Sequence, residues 1–156
     1  MASDPETLIY RAATLEDVPA LFAVRVATRE NTYTLAELAA LGITEQSVGE
    51  KLGGSYGGWV CEAAGRVVGF SMADRSTGEL WVIAVLPEFE GRGVGARLMA
   101  LAEEWLWSCG CEEAWLTTSI DPGLRAYGFY RKLGWTDHEI RGGLRYLKKV
   151  NPATRP

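Results

Sequence analysis

Seven apolar residues in unbroken succession, Leu80 to Leu86, run into Pro87 and then into "EFEGRGVG", three glycines around one arginine. The run is too short for a buried helix and too apolar for an edge strand, so it reads as a central strand covered on both faces. Beyond the glycines, Val94, Leu98, Leu101 and Trp105 step by four, three and four, which predicts a helix to about Cys109, closed by Gly110. Strand, glycine loop and helix in immediate succession restrict the chain to a layered α/β architecture.

That junction has chemical meaning. The first N–H groups of a helix lack intrahelical partners, and the helix dipole makes that end electropositive. Glycines let successive amides curve around an anion. The stretch is therefore a candidate phosphate cradle. No Lys-Ser/Thr pair closes the loop, as a Walker motif requires. Gly91, Gly93 and Gly95 form G-x-G-x-G rather than the dinucleotide spacing.

Elsewhere, "LIYRAA" predicts a first strand, and Thr14 with Asp17 caps a helix expected to reach about Thr28. "TLAELAALG" and "TEQSVGEKLGG" predict two short helices. "GGWVCEAAG" and "RVVGFSMADRS" predict a hairpin, with "EEAWLTTSI" as a later strand. "GLRAYGFYRKLG" predicts a helix with Ala126, Phe129, Tyr130 and Leu133 on one face and Gly134 just past its end. A second hairpin turns at Gly142–Gly143. Trp59 and Trp81 read as core residues on strands.

At 156 residues, 47% hydrophobic and 23% charged, the chain reads as one globular domain, residues 1–156 with its core over about 8–150. A net charge of −4 argues against a nucleic-acid partner. No apolar run approaches a membrane span, and "MASDPETLIYR" lacks the features of a signal peptide, so a cytoplasmic location is expected. Cys61, Cys109 and Cys111 read as free thiols. With His138 as the one histidine, no metal site is predicted.

"VLPEFEGRGVGARLM" resembles the acyl-CoA motif of the GNAT N-acetyltransferase superfamily, V-x-P-x-x-[QR]-x-x-G-x-[GA], with Val85, Pro87, Gly93 and Gly95 matching. "RAYGFYRKLGW" resembles the family's second signature at the expected interval, and the order of elements from Leu8 to Val150 agrees. Glu90 departs from the [QR] position, and Gly123 stands where an asparagine is often found, with Asp121 near enough to replace its hydrogen bond.

The resemblance implies a mixed, mostly antiparallel central sheet of about seven strands, a splayed central pair and helices on both faces. It implies an enzyme that uses acetyl-CoA to acetylate a primary amine of a small molecule, amino acid or protein. The pantetheine arm would pair with the backbone of Ile83, Ala84 and Val85. The pyrophosphate would sit on the amides of Gly91, Arg92, Gly93, Val94, Gly95 and Ala96, with Gly123, Ala126, Phe129 and Tyr130 completing the cofactor site. Tyr130 would protonate or hydrogen-bond the leaving sulfur. Glu79 would be the base; strict alternation puts it on the same sheet face as Val85, about 20 Å away. Arg25, Arg29, Glu30 and Asn31 are the candidate acceptor contacts. The alternative is a non-catalytic module that binds or senses acyl-CoA. Edge pairing of the last hairpin offers a route to a homodimer.

Overall fold

A computed structural model describes residues 7–28 and 33–154. Its centre is a seven-stranded sheet in the order β1-β2-β3-β4-β5-β7-β6. The strands are β1 (Leu8–Ala12), β2 (Tyr56–Ala63), β3 (Arg66–Asp74), β4 (Glu79–Val85), β5 (Glu113–Ser119), β6 (Thr136–Arg141) and β7 (Leu144–Val150). Every neighbouring pair is antiparallel except β4 and β5. The helices are α1 (Val18–Val26), α2 (Leu35–Ala40), α3 (Glu45–Leu52), α4 (Val94–Ser108) and α5 (Arg125–Lys132). No described helix is long and apolar enough to cross a membrane.

Local chemistry sets these elements. The β2–β3 turn holds Ala64 at φ 51° and Gly65 at φ 78°, and the β6–β7 turn holds Gly142 and Gly143 at 60° and 79°. Positive φ at both turn residues matches the twist of a tight hairpin. Thr34 and Thr44 each accept a backbone N–H three residues on, capping α2 and α3. The Asp17 carboxylate accepts from the Thr14 amide at 2.7 Å and from Arg11 Nη1 and Nη2 at 2.7 and 2.8 Å. The helix predicted from Thr14 to about Thr28 is instead a 3-10 turn, Leu15–Asp17, followed by α1 ending at Val26.

The strand covered on both faces is β3, not β4. Residues 68–74 are all buried, whereas only Leu80 and Ala84 of β4 are. The reason is a splay. β4 pairs with β3 along its length but meets β5 only at Glu79 opposite Trp115. Gly78 makes the joint: its carbonyl accepts from the Trp115 amide at 3.1 Å, and its φ is 80°. A Cβ there would lie 2.6 Å from the Glu113 carbonyl oxygen.

β4 also carries a bulge. Val82 pairs with Met72 and Leu80 with Ala73, leaving Trp81 as the extra residue. Trp81 and Val82 consequently both face Leu21 and Phe22 of α1. The bulge overturns the strict alternation expected from Glu79 to Val85. Those two residues lie on opposite sheet faces, with Val85 toward α4.

Candidate active site

Where β4 and β5 part, a cleft of about 590 Å³ opens between β4, the start of α4 and α5. Ile83, Ala84 and Val85 form one wall, on a strand edge with no partner beyond Glu79. Gly91, Gly93, Val94, Gly95 and Ala96 line the loop end. Ala126, Phe129, Tyr130 and Leu133, the predicted face of α5, form the opposite wall.

Glycines shape the loop end. Gly91 and Gly93 take φ of 78° and 80°, open to glycine and strained for other residues. Gly93 is the N-cap of α4 and offers no side chain, and the first turn carries no acid. The first intrahelical bond runs from the Arg97 amide to the Gly93 carbonyl at 3.0 Å. The amides of Val94, Gly95 and Ala96 therefore precede the helical ladder at its electropositive end. Gly95 also permits close packing, since a Cβ would sit 3.2 Å from Phe129 Cζ.

Two of the proposed cofactor contacts do not line the cleft. Arg92 is exposed and stacks its Cζ 4.8 Å from the Phe89 ring centroid, because the tight loop turns its side chain outward. Gly123 lies in the turn before α5 and donates its N–H to Asp121 Oδ1 at 2.9 Å. Glu90 does line the cleft, and its carboxylate is paired with Arg125, the first residue of α5.

Burial alone pushes the Tyr130 phenol up to about 12. It stays protonated throughout the physiological range and can only donate from that state or accept. The end of α5 is tied down behind it. Trp135 Nε1 donates to Glu103 Oε2 at 3.1 Å, and Lys149 Nζ donates to Glu103 Oε1 at 2.7 Å and to the Leu133 carbonyl at 2.8 Å.

Glu79 stands outside the cleft, at the closed end of the splay. Burial first, then Asp74, raises its pKa above the usual carboxylate range, with Lys51 opposing. Arg25 occupies the last turn of α1, on the bulge side of β4, with Cζ 5.6 Å from the Trp81 ring centroid. Arg29, Glu30 and Asn31 lie outside the described residues. Trp81, read as core, is half-buried and flanked by cations. The sequence reading did not assign Thr28, Phe89, Arg125 or Lys132 to the cleft. Only Arg125 carried a signal, as the first residue of the second motif.

A parallel strand pair that parts beside an uncapped helix N-terminus leaves an open strand edge and free amides, the features of an anion-receiving site. The family model described as "Acetyltransferase (GNAT) family" matches residues 21–135, and the chain belongs to that family. It is 33% identical over 104 residues to an uncharacterized N-acetyltransferase of Methanocaldococcus jannaschii, covering 60% of this chain and 46% of that protein. It is 37% identical over 83 residues to the mycothiol acetyltransferase of Tsukamurella paurometabola, covering 50% and 28%. The matched part thus spans less than half the length of either relative. In fold it is similar to the PaiA N-acetyltransferase of Thermoplasma acidophilum, solved in complex with coenzyme A. The TM-score is 0.81 at 17% identity, over 93% of this chain and 99% of that one. The ribosomal-protein-S18-alanine N-acetyltransferase of Escherichia coli gives 0.70 at 18%, covering 91% of both.

Proposed function

We propose that this chain is an acetyl-CoA-dependent N-acetyltransferase that acts on a primary amine of a small molecule, amino acid or protein. One observation carries the reading: the open edge of β4 and the uncapped start of α4 face Tyr130 across a single cleft. The open strand edge suits an amide-bearing arm, and the positive-φ glycines suit a pyrophosphate.

Acetyl-CoA, when bound, supplies an activated acyl carbon. In this reading Ile83, Ala84 and Val85 hold the pantetheine arm with main-chain groups, and the amides from Gly91 to Ala96 hold the pyrophosphate. Ala126 and Phe129 close the far wall. A backbone N–H near Val85 stabilises the developing oxyanion. The amine nitrogen would bond to the acyl carbon as the carbon–sulfur bond breaks, and the amine proton would pass along a chain of waters to Glu79, which stands outside the cleft. Burial raises the affinity of that carboxylate for the proton. Tyr130 donates a hydrogen bond to the departing sulfur. An ordinary thiol titrates near about 8.5, so full transfer from a phenol at about 12 is uphill. Tyr130 thus acts as a donor that stabilises the thiolate.

The proposed unit is one domain over residues 1–156, working in the cytoplasm, with the exposed β6 edge available for pairing with a second copy. Parallel thermal unfolding with acetyl-CoA, CoA, ATP and NAD tests the cofactor. At about 100 times Kd a specific ligand stabilises by roughly 2.7 kcal/mol, a Tm shift of roughly 5–10 °C. A shift with acetyl-CoA and CoA alone is expected. Amine-dependent CoA release then separates an enzyme from a binding module, and no shift with either thioester or thiol overturns the reading.

A further inference from the structure

Arg25 is a half-buried cation with no carboxylate partner among the described residues. Arg11 is matched by Asp17 and Glu62, Arg145 by Asp137 and Lys149 by Glu103, whereas Lys51, beside the same Trp81 ring, likewise has no ion pair with a described carboxylate. Arg25 makes no side-chain hydrogen bond or ion pair with a described residue. Burial lowers its pKa, opposed by the Tyr33 phenol and by no carboxylate. A guanidinium keeps its charge regardless, and the face of Trp81 offsets part of its desolvation.

Two cations flank one aromatic face here. Arg25 is the one charged side chain of a narrow, otherwise apolar slot that includes Phe22, Ile43, Val48, Trp81 and Val82 and leaves about 10 Å³ open, so an anion would meet the guanidinium rather than enter the slot. Lys51 Nζ lies 5.2 Å from the same Trp81 ring and 4.7 Å from that of Tyr56, and its charge also acts on Glu79. The slot also adjoins the cleft. The bulge turns Trp81 and Val82 toward Arg25, and the next residue, Ile83, lines the cleft. Thr28, nearly one helical turn beyond Arg25, lines the cleft as well. Ile83 is one strand residue, about 3.3 Å, beyond Val82, so the cleft wall adjoins the slot.

We propose that the acceptor is a small amino acid whose carboxylate is held by Arg25 while its amine reaches into the cleft beside Ile83. Arg25 is thus a specificity-determining residue for an anionic end of the substrate. The proposal rests on the acetyltransferase reading for its amine end, and its test keeps the two apart.

Calorimetric titration of the CoA-saturated protein compares β-alanine with propylamine and γ-aminobutyrate with butylamine. Each amino acid is expected to bind at least about tenfold more tightly than its matched amine. Arg25→Gln is expected to erase that difference and Arg25→Lys to restore part of it. Propionate, which has the carboxylate and no amine, is expected to compete with β-alanine on the wild-type protein, a readout that needs no variant to fold. Equal affinities, an unchanged Arg25→Gln protein or no competition by propionate would each overturn the proposal. CoA release from acetyl-CoA is scored in parallel. Selective binding without release would sink the transferase reading and leave the anion subsite standing; release without selectivity would do the reverse.

Discussion

Glu90 and Arg125 meet across the mouth of the cleft, with Glu90 Oε2 2.5 Å from Arg125 Nη1. One comes from the loop that carries the first motif and the other from the helix that carries the second. The acid that departs from the family pattern is therefore accompanied by a cation from the opposite wall. The arginine is 57% exposed, so the pair contributes little to folding. Its effect belongs to anion binding. Arg125→Ala is expected to weaken CoA binding about tenfold, because it removes a cation and leaves Glu90 facing the pyrophosphate site. Glu90→Gln in the Arg125→Ala background is expected to recover part of the loss. Titration calorimetry at two ionic strengths checks this, and an unaltered Kd in Arg125→Ala would separate the pair from the cofactor.

Tyr130→Phe keeps the ring that packs against Phe129, 5.5 Å between centroids, and deletes only the donor. The expected outcome is a kcat lower by about 100-fold, the low end for a positioned proton donor, with the KM for acetyl-CoA within about twofold. With the phenol held near 12, no ionisation of Tyr130 is expected in a rate profile taken below about pH 10. Steady-state kinetics of the two proteins decide it, and equal kcat values would remove the residue from the chemistry.

Glu79 is a base only when ionised, and burial raises its pKa. Wild-type kcat/KM is therefore expected to climb with pH through a value above the ordinary carboxylate range. Glu79→Gln is expected to lose that limb and to regain rate at high pH, where the amine arrives neutral. Stability follows the opposite sign. Between the unfolded and folded pKa the folded state holds the extra proton, so stability falls as pH rises through that window. Glu79→Gln should therefore raise Tm at neutral pH and leave it unchanged below about pH 4.

Gly78→Ala meets two obstacles together, a φ of 80° and a Cβ 2.6 Å from the Glu113 carbonyl oxygen. Backbone cannot give way as a flexible side chain would. Destabilisation of about 2–4 kcal/mol is expected, read as a lower denaturant midpoint. Because Gly78 closes the one point where β4 and β5 join, CoA affinity should fall with it. Gly65→Ala, at a similar φ but with no atom within 4 Å of its Cβ, is the milder control.

Much of the fold was legible because its signals are local. Hydrophobic period, the glycines at Gly65, Gly134 and Gly142–Gly143 and the threonines before α2 and α3 each act within a few residues. The same holds for the loop from Glu90 to Gly95 and for the α5 face, whose four predicted residues line one cleft. The seven-residue apolar run also announced β4, but not its surroundings. That strand is half-open because β5 diverges from it, and divergence is a relation between segments far apart in sequence, Glu79 and Trp115 in the one pairing they make.

The sequence by itself determined the order of elements, the cradle and the family, since each depends on residue types at short spacing. Tertiary structure alone decided three other matters. It brought Arg125 to Glu90, turned Trp81 and Val82 to one face through a bulge that separates Glu79 from Val85, and left Arg25 over Trp81 with no carboxylate partner among the described residues. Each depends on strand register and on charges distant in sequence, and alternation or motif spacing carries no information about either.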